Sequence, residues 1–224
     1  MILKGVMYVK KEAHDEKNMK RKKSADKKNQ KKALFIQRLI AFLIDSAIVV
    51  FVASLLATPF VNDSKINTLN EKSTEIVKEY SSGKITSREY FAEYMNITYD
   101  LAKNNGYVTL ISVVLGLIMF VIIPLYNNGQ TVGKKLLKIR VISNENDLTI
   151  NQLIFRAFIA NSILIDLISI ILIMVSSKQN FFYCYGLFVF IQYTITIVSI
   201  FMIMFRKDGR ALHDMLTHTQ VVRS

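Results

Sequence analysis

Four long runs of apolar residues constrain this chain more than any other feature of its sequence. They cover about residues 39–61, 107–126, 153–175 and 181–205. Each run approaches or exceeds the roughly 18–20 apolar residues with which a helix crosses the hydrocarbon core of a bilayer. A soluble domain would instead spread its apolar residues at helix or strand period. The sequence therefore predicts an all-α integral membrane protein with four transmembrane helices.

The polar segment between the first two spans, residues 62–106, is predicted to fold as two helices. One covers about residues 65–80 and the other about 87–103, and Gly83 separates them. The motif TSRE at residues 86–89 has the spacing of a capping box, which marks the start of the second helix. We expect this helical loop to lie outside the cytoplasm.

Two shorter segments alternate apolar and polar residues, a pattern that is typical of strands. They are LLKIRVIS at residues 136–143 and HTQVV at residues 218–222. Both lie in segments that we expect on the cytoplasmic side. They are therefore predicted to pair as a small cytoplasmic two-stranded element.

Positive charge predicts the orientation of the chain, because Lys and Arg accumulate on the cytoplasmic side of a membrane. The N-terminal tail, residues 1–32, carries 12 Lys/Arg, and the segments 127–152 and 206–224 carry 4 each. The 62–106 loop is slightly acidic, with 6 Lys/Arg and 7 Asp/Glu. Four spans with both termini in the cytoplasm place all three basic segments on one side. We expect the plasma (cell) membrane.

The basic tail is predicted to be disordered, because residues 1–32 contain too few apolar side chains to form a core. Its Lys and Arg residues are expected to bind anionic lipid head groups, at about 1 kcal/mol each near the surface. The net charge of +12 does not predict nucleic-acid binding, since no aromatic residues are interleaved with the basic ones for base stacking.

The reactive side chains are sparse. Cys184 is the single cysteine, which excludes an internal disulfide framework and a cysteine-rich metal site. The sequence has no spacing typical of a Ser/His/Asp or Cys/His nucleophile or of a zinc site. We therefore expect neither an enzyme nor a bound cofactor or metal.

The first span contains two charged residues, Arg38 near its cytoplasmic end and Asp45 seven residues later. Arg38 can extend its long side chain to the head groups at small cost. Asp45 lies about 10 Å further along nearly the same helix face, where a charged carboxylate costs about 2.5–3.5 kcal/mol. Asp45 is therefore predicted to need a donor from another segment, a water-filled cavity or a proton.

The third span repeats the pattern, with Arg156 near its cytoplasmic end and Asp166 near the bilayer midplane. Polar side chains within spans normally face the interior of a helix bundle. One polar cluster in that interior would then contain Asp45, Asp166, Asn161 and Gln192. Two interpretations remain open: interhelical hydrogen bonds that hold the bundle together, or a path for an ion or a proton.

Three stretches, taken in order, resemble the RDD family of polytopic membrane proteins. They are RLIAFLID in the first span, GQTVGKKLLKIRVIS after the second, and ALHDMLTHTQVV near the C-terminus. The resemblance covers about residues 33–222, whereas the basic tail and the long 62–106 loop lie outside the common pattern. It implies a polytopic membrane domain whose role in the family is largely unassigned, with suggestions of transport or ion antiport.

The resemblance also implies which residues carry the family motifs. By motif position, the family's arginine corresponds to Arg38 and its two aspartates to Asp45 and Asp214. An Asp214 on the cytoplasmic side would reach the membrane surface and pair with Arg38 as a latch or gate. The other motif positions are Thr131, Gly133, Lys134 and Arg156.

The predicted function is transport of an ion or small solute, coupled to protons through the carboxylates of Asp45 and Asp166. Because four helices are few for a monomeric transporter, we expect a homo-oligomer or a partner membrane protein. The alternative is a non-transporting assembly or accessory protein with a structural polar core. Its tail or its 62–106 loop would then bind a partner.

Overall fold

Three helices of the computed structural model, which describes residues 30–145 and 147–224, are long and apolar enough to cross a membrane. The first comprises α1, Phe35–Ala57, and a short 3-10 turn that follows it. The second runs from Gly106 to Tyr126, and the third is α9, Lys178–Phe205. These helices confirm three of the predicted spans, although α1 and α9 begin a few residues earlier than their apolar runs.

The second span is continuous but not uniform. Its first part is α4, Gly106–Leu117, its last part is α5, Ile123–Tyr126, and the residues between them form a π-helical turn. In that turn the N–H of Ile123 bonds to the carbonyl of Ile118, five residues back. A regular helix would bring the ring of Pro124 against the carbonyl four residues before it. The wider turn next to Pro124 is consistent with relief of that clash.

The segment predicted as one span at 153–175 consists of two helices. They are α7, Ile150–Ala160, and α8, Ile163–Val175, and they meet at an angle of 70°. Ser162 between them has a positive φ of 58°, which ends a right-handed helix. Counting the pair as one broken span gives four spans; the four-span topology stays a prediction.

The predicted helical loop is a hairpin of two amphipathic helices. They are α2, Asp63–Ser81, and α3, Ser87–Asn104. The predicted capping box is present, because the Thr86 side chain accepts the N–H of Glu89 and the Glu89 carboxylate accepts the N–H of Thr86. The two helices pack through Leu69, Ile76 and Ile97.

The predicted strand pair forms at the same end of the bundle as the start of α1 and the end of α9, and this end is called the ribbon end below. Strand β1, Ile139–Ser143, pairs antiparallel with β2, Thr219–Arg223. A five-residue helix precedes each strand: α6, Val132–Leu136, and α10, Leu212–Leu216. Placement of the ribbon end in the cytoplasm stays a prediction.

The two helix–strand units are built alike. Gly129 and Gly209 open them with positive φ angles of 80° and 60°, and Lys138 and His218 join helix to strand with φ angles of 53° and 52°. Each unit thus repeats the same turns after 80 positions, and the antiparallel pairing of β1 with β2 relates the two copies by an approximate twofold rotation.

The segment before α1 forms backbone hydrogen bonds with the free edge of β2. The N–H of Ala33 donates to the carbonyl of Val221 at 3.1 Å, and the N–H of Arg223 donates to that of Lys31 at 2.9 Å. The predicted disorder of residues 1–29 lies outside the described residues. For Lys31 and Lys32 the prediction is wrong, because the free edge of β2 provides them with backbone partners.

Candidate functional site

The carboxylate of Asp214 lies at the centre of a buried ionic cluster at the ribbon end. Nη1 of Arg38 donates to its Oδ2 at 2.8 Å, and Nη1 of Arg156 donates to its Oδ1. The backbone N–H of Ala211 donates to Oδ2 at 3.0 Å, at the start of α10. Asp214 has no exposed surface. One carboxylate therefore joins α1, α7 and α10, and the predicted contact between Arg38 and Asp214 is present.

The arginines around Asp214 also hold β2. Nη2 of Arg38 donates to the carbonyl of Val221 at 3.1 Å, and Nη1 of Arg156 donates to Oγ1 of Thr219 at 2.9 Å. Arg210 donates to the carbonyls of Thr219 and Asp214, both at 3.1 Å. The cluster thus fixes the C-terminal segment against the membrane helices.

The charges of the cluster determine how its members titrate. Burial by itself raises the pKa of Asp214, but Arg156, His213 and Arg38 outweigh it and hold this pKa below its usual range. Burial, together with repulsion by Arg156 and Arg38 and against the attraction of Asp214, lowers the pKa of the neighbouring His213 to about 3. At neutral pH the cluster therefore contains an ionised carboxylate beside a neutral imidazole.

Asp45 is the acceptor for a second connection, between α1 and α6. The hydroxyl of Thr131 donates to its Oδ2, and the N–H of Gly133 donates to its Oδ1 at 2.7 Å. Thr131 also caps α6 by accepting the N–H of Lys134 at 3.3 Å. The donor that the sequence predicts for Asp45 is therefore the motif TVG, and both oxygens of this buried carboxylate are engaged.

Glycine at position 133 permits this contact. A Cβ on Gly133 would lie 2.3 Å from the carbonyl oxygen of Ala41, so α6 could not approach α1 as closely. Gly129 has a similar role, since its Cβ would lie 2.0 Å from the carbonyl oxygen of Val141. The glycines of GQTVG thus allow close backbone packing.

Lys134 lies next to this connection and extends into the bundle. Burial lowers its pKa to about 8, and repulsion by Arg156 contributes to the shift. Among the described residues, its ammonium forms no ion pair and no hydrogen bond. Lys134 is therefore a half-buried cation without an ion-pair partner in the part of the chain described.

The structure separates the predicted polar cluster into individual sites. Gln192 donates to the carbonyl of Ile159 at 2.9 Å, which satisfies a backbone group beside the break between α7 and α8. Asp166 lies half-buried in the first turn of α8, and no described side chain bonds to its carboxylate. No hydrogen bond among the described residues joins Asp45, Asp166, Asn161 or Gln192 to another of the four.

A cavity of about 210 Å³ lies between α1 and α9 at the ribbon end. Its polar lining includes Asp45 and Asn161 together with four nitrogen-bearing side chains: Arg38, Lys134, Arg156 and His213. Most of the remaining lining is apolar, from Phe35, Leu39, Phe42, Phe120, Ile159, Ile195, Ile200 and Ile203. The structure therefore brings together four of the motif residues, Arg38, Asp45, Lys134 and Arg156, around one space, whereas Asp166 lies outside it.

Sequence reasoning missed two residues of this region, Arg210 and Thr219. Both extend the cluster around Asp214. The repeated helix–strand unit was a signal for them, since Arg210 follows Gly209 as Gln130 follows Gly129. Ser199 is one of the neutral polar side chains of the fourth span that are expected to face the bundle interior, and it lines the cavity.

Comparison with known proteins identifies one family. A model of the RDD family matches residues 32–218. No curated protein and no solved structure matches the chain. The match covers Asp214 and the first helix–strand unit, and it ends at residue 218, just before β2.

Proposed function

The chain belongs to the RDD family, and we propose that it transports a small anionic solute through the cavity at the ribbon end. The observation that carries the proposal is the charge of the lining. Arg38, Lys134 and Arg156 contribute three cationic side chains to the lining, and Asp45 contributes one carboxylate. The two arginines share the carboxylate of Asp214, so three cations face two carboxylates and one positive charge remains. Charges interact more strongly in a low-dielectric interior than in water. A cavity with this lining favours a negatively charged solute.

The contacts also support different roles for Asp45, Asp166 and Lys134. Both oxygens of Asp45 accept hydrogen bonds from the α6 segment, so we assign Asp45 to positioning Lys134 rather than to binding an ion. Lys134, whose pKa burial lowers to about 8, can exchange a proton near neutral pH. Asp166 is the candidate for a second proton site, since it has no described partner.

The break between α7 and α8 supplies the element that would change shape. Irregular backbone at membrane depth occurs where it lines a cavity or is buried in protein, and Asn161 at this break lines the cavity. Discontinuous helices form substrate sites in many transporters. We propose that the α7–α8 bend changes as solute passes, while the contacts of Asp214 fix the ribbon end as a latch.

Flux into proteoliposomes tests the proposal. Purified full-length protein is reconstituted, and uptake of radiolabelled inorganic phosphate, chloride and sodium is measured with a proton gradient of either direction. We expect uptake of an anion above that of protein-free liposomes, and its loss in Lys134→Met. The matched control is Lys135→Met, because Lys135 is exposed and does not line the cavity. Absence of flux under every gradient would overturn the proposal.

A non-transporting accessory role is the second candidate, and the α2–α3 hairpin favours it. Tyr80, Tyr90 and Tyr94 stack in series along this hairpin, and Tyr80 and Phe91 are 44% and 55% exposed. Aromatic side chains of this kind are enriched in protein–protein interfaces. A homo-oligomer or a partner membrane protein would then use this surface. Folded protein that lacks flux but copurifies with a partner, and loses it with Tyr80→Ala, would support this role.

A further inference from the structure

We propose that the cavity binds the phosphate head group of an anionic phospholipid, which enters sideways between α1 and α9. The inference rests on the proposed function for the cavity as the solute site, and it names the class of solute. The site is distinct from the basic tail, because it lies within the bundle at the ribbon end.

The first observation is that the lining has two zones. Arg38, Lys134 and Arg156 supply positive charge near the start of α1, whereas α9 presents Ile195, Ile200 and Ile203 along the cavity. The eight residue steps from Ile195 to Ile203 extend about 12 Å along a helix. A small anion would contact only the charged zone and would leave these three isoleucines without a ligand. A molecule with an anionic head and an acyl chain satisfies both zones.

The second observation is a pair of buried polar atoms without partners. Oγ of Ser199 and Nε of Arg38 are hidden from solvent, and neither has a hydrogen-bond partner among the described residues. Ser199 is 6% exposed and lines the cavity. A buried donor without an acceptor costs about 1–3 kcal/mol. Phosphate oxygens accept from hydroxyl and guanidinium donors, so a bound head group would relieve this cost.

The third observation is an open side. Helix α1 packs on α4 and α6, and α9 packs on α8 and α3, rather than extensively on each other. Along the gap, Leu39, Phe42 and Ile200 are 37%, 42% and 37% exposed. These residues line the cavity and also face the surrounding lipid. An acyl chain can therefore remain in the bilayer while its head group occupies the cavity.

Binding is measured separately from flux. Full-length protein is purified in detergent and delipidated, and binding of a fluorescent short-chain phosphatidylglycerol is compared with that of a matched phosphatidylcholine. The titration is repeated at high salt, which screens binding to solvent-exposed basic residues more than binding to a buried site. We expect phosphatidylglycerol to bind more tightly than phosphatidylcholine, at high salt as well as at low salt. Lys134→Met should weaken its binding by at least about fivefold, the effect of one basic residue near a lipid, and Lys135→Met should leave it unchanged.

A second variant tests occupancy of the cavity. Ser199→Phe fills the space beside the unpartnered hydroxyl and should abolish phosphatidylglycerol binding, with folding verified by an unchanged thermal midpoint. A loss of fold in this variant moves the test to Thr196→Leu, which fills the same wall with an apolar side chain. Equal effects of Lys134→Met and Lys135→Met would overturn the inference, as would equal binding of the two lipids at high salt.

The arms of the experiment separate the two proposals. Tight binding of inorganic phosphate, with none of phosphatidylglycerol, overturns the lipid assignment and leaves transport of a water-soluble anion intact. Binding of phosphatidylglycerol with no flux of any solute supports the lipid site and overturns transport of a small anion.

Discussion

Arg38 and Asp214 are 176 positions apart in the sequence, yet Nη1 of Arg38 donates a hydrogen bond to Oδ2 of Asp214 at 2.8 Å. The carboxylate has no exposed surface, and Arg156 occupies its other oxygen. The first helix and the C-terminal segment are therefore joined through one buried charge. Because burial removes solvation from every member of the cluster, each ion depends on the others.

The first prediction concerns this coupling. Asp214→Ala leaves two buried arginines without their anion, whereas Arg38→Ala leaves Arg156 on the carboxylate. Breaking one buried pair costs about 3–5 kcal/mol, so we expect both variants to unfold more easily in mixed micelles, Asp214→Ala more than Arg38→Ala. The double variant should lose less unfolding free energy than the sum of the losses in the two single variants. The exposed pair of Arg206 with Asp208 is the control, and Arg206→Ala should be neutral. Strictly additive losses of unfolding free energy would contradict the proposed coupling between Arg38 and Asp214.

The second prediction concerns Asp45. Asp45→Ala leaves the N–H of Gly133 and the hydroxyl of Thr131 without their acceptor, at about 1–3 kcal/mol per buried group. Asp45→Asn should cost less, because an amide oxygen can accept from Gly133 and its NH₂ can donate to Thr131. The matched control is Asp166→Ala, since Asp166 has no described partner. Equal losses in unfolding free energy for Asp45→Ala and Asp166→Ala would contradict the assignment of Asp45 to the α1–α6 connection.

The third prediction tests the close approach at Gly133. A Cβ at this position would lie 2.3 Å from the carbonyl oxygen of Ala41, and overpacking of this kind typically costs about 1–3 kcal/mol. Gly133→Ala should therefore lower the yield of folded protein and its thermal midpoint. Gly186→Ala is the control, because a Cβ at Gly186 meets nothing within 4 Å. A folded Gly133→Ala protein of unchanged midpoint would show that α6 does not need this contact.

The fourth prediction concerns pH. His213 has a folded-state pKa of about 3, against about 6.5 for a histidine in an unfolded chain. Below pH 6.5 the unfolded chain binds more protons than the folded one, so stability falls as the pH drops from 6.5 towards 3. The slope is at most about 1.4 kcal/mol per pH unit.

Unfolding measured between pH 4.5 and 7.5 checks this expectation. His213→Asn removes the titration and should flatten the profile. His218→Asn is the control, because His218 is 67% exposed and Asn tolerates its positive φ. Parallel profiles for the wild type and His213→Asn would contradict the prediction.

The fifth prediction concerns topology. In a Cys184→Ala background, single cysteines are introduced at two exposed positions, Ser82→Cys in the α2–α3 hairpin and Lys135→Cys at the ribbon end. A membrane-impermeant maleimide should label Ser82→Cys on intact cells, and Lys135→Cys only after permeabilisation. The reverse pattern would invert the orientation that the basic segments predict.

The sequence alone determined much of the local structure. Apolar runs predicted the three continuous spans, the TSRE motif predicted the start of α3, and alternation predicted β1 and β2. Each of these depends on neighbours within a few residues, where helix and strand periods are readable. The apolar run at 153–175 did not reveal the break at Ser162, whose positive φ divides the segment into α7 and α8.

Apart from the pair of Arg38 with Asp214, which the family resemblance predicted, the partners of the charged residues were decided only by the tertiary structure. The sequence left three alternatives for Asp45: a donor from another segment, a water-filled cavity or a proton. Hydrogen bonds over 86 and 88 positions supply donors from Thr131 and Gly133. Asp45 and Asp166 looked equivalent because both are acids in apolar runs, yet one is fully engaged and the other has no described partner. Burial and pairing are set by the packing of distant segments. The charge of the cavity and its open side therefore emerge only when α1, α7 and α9 are assembled.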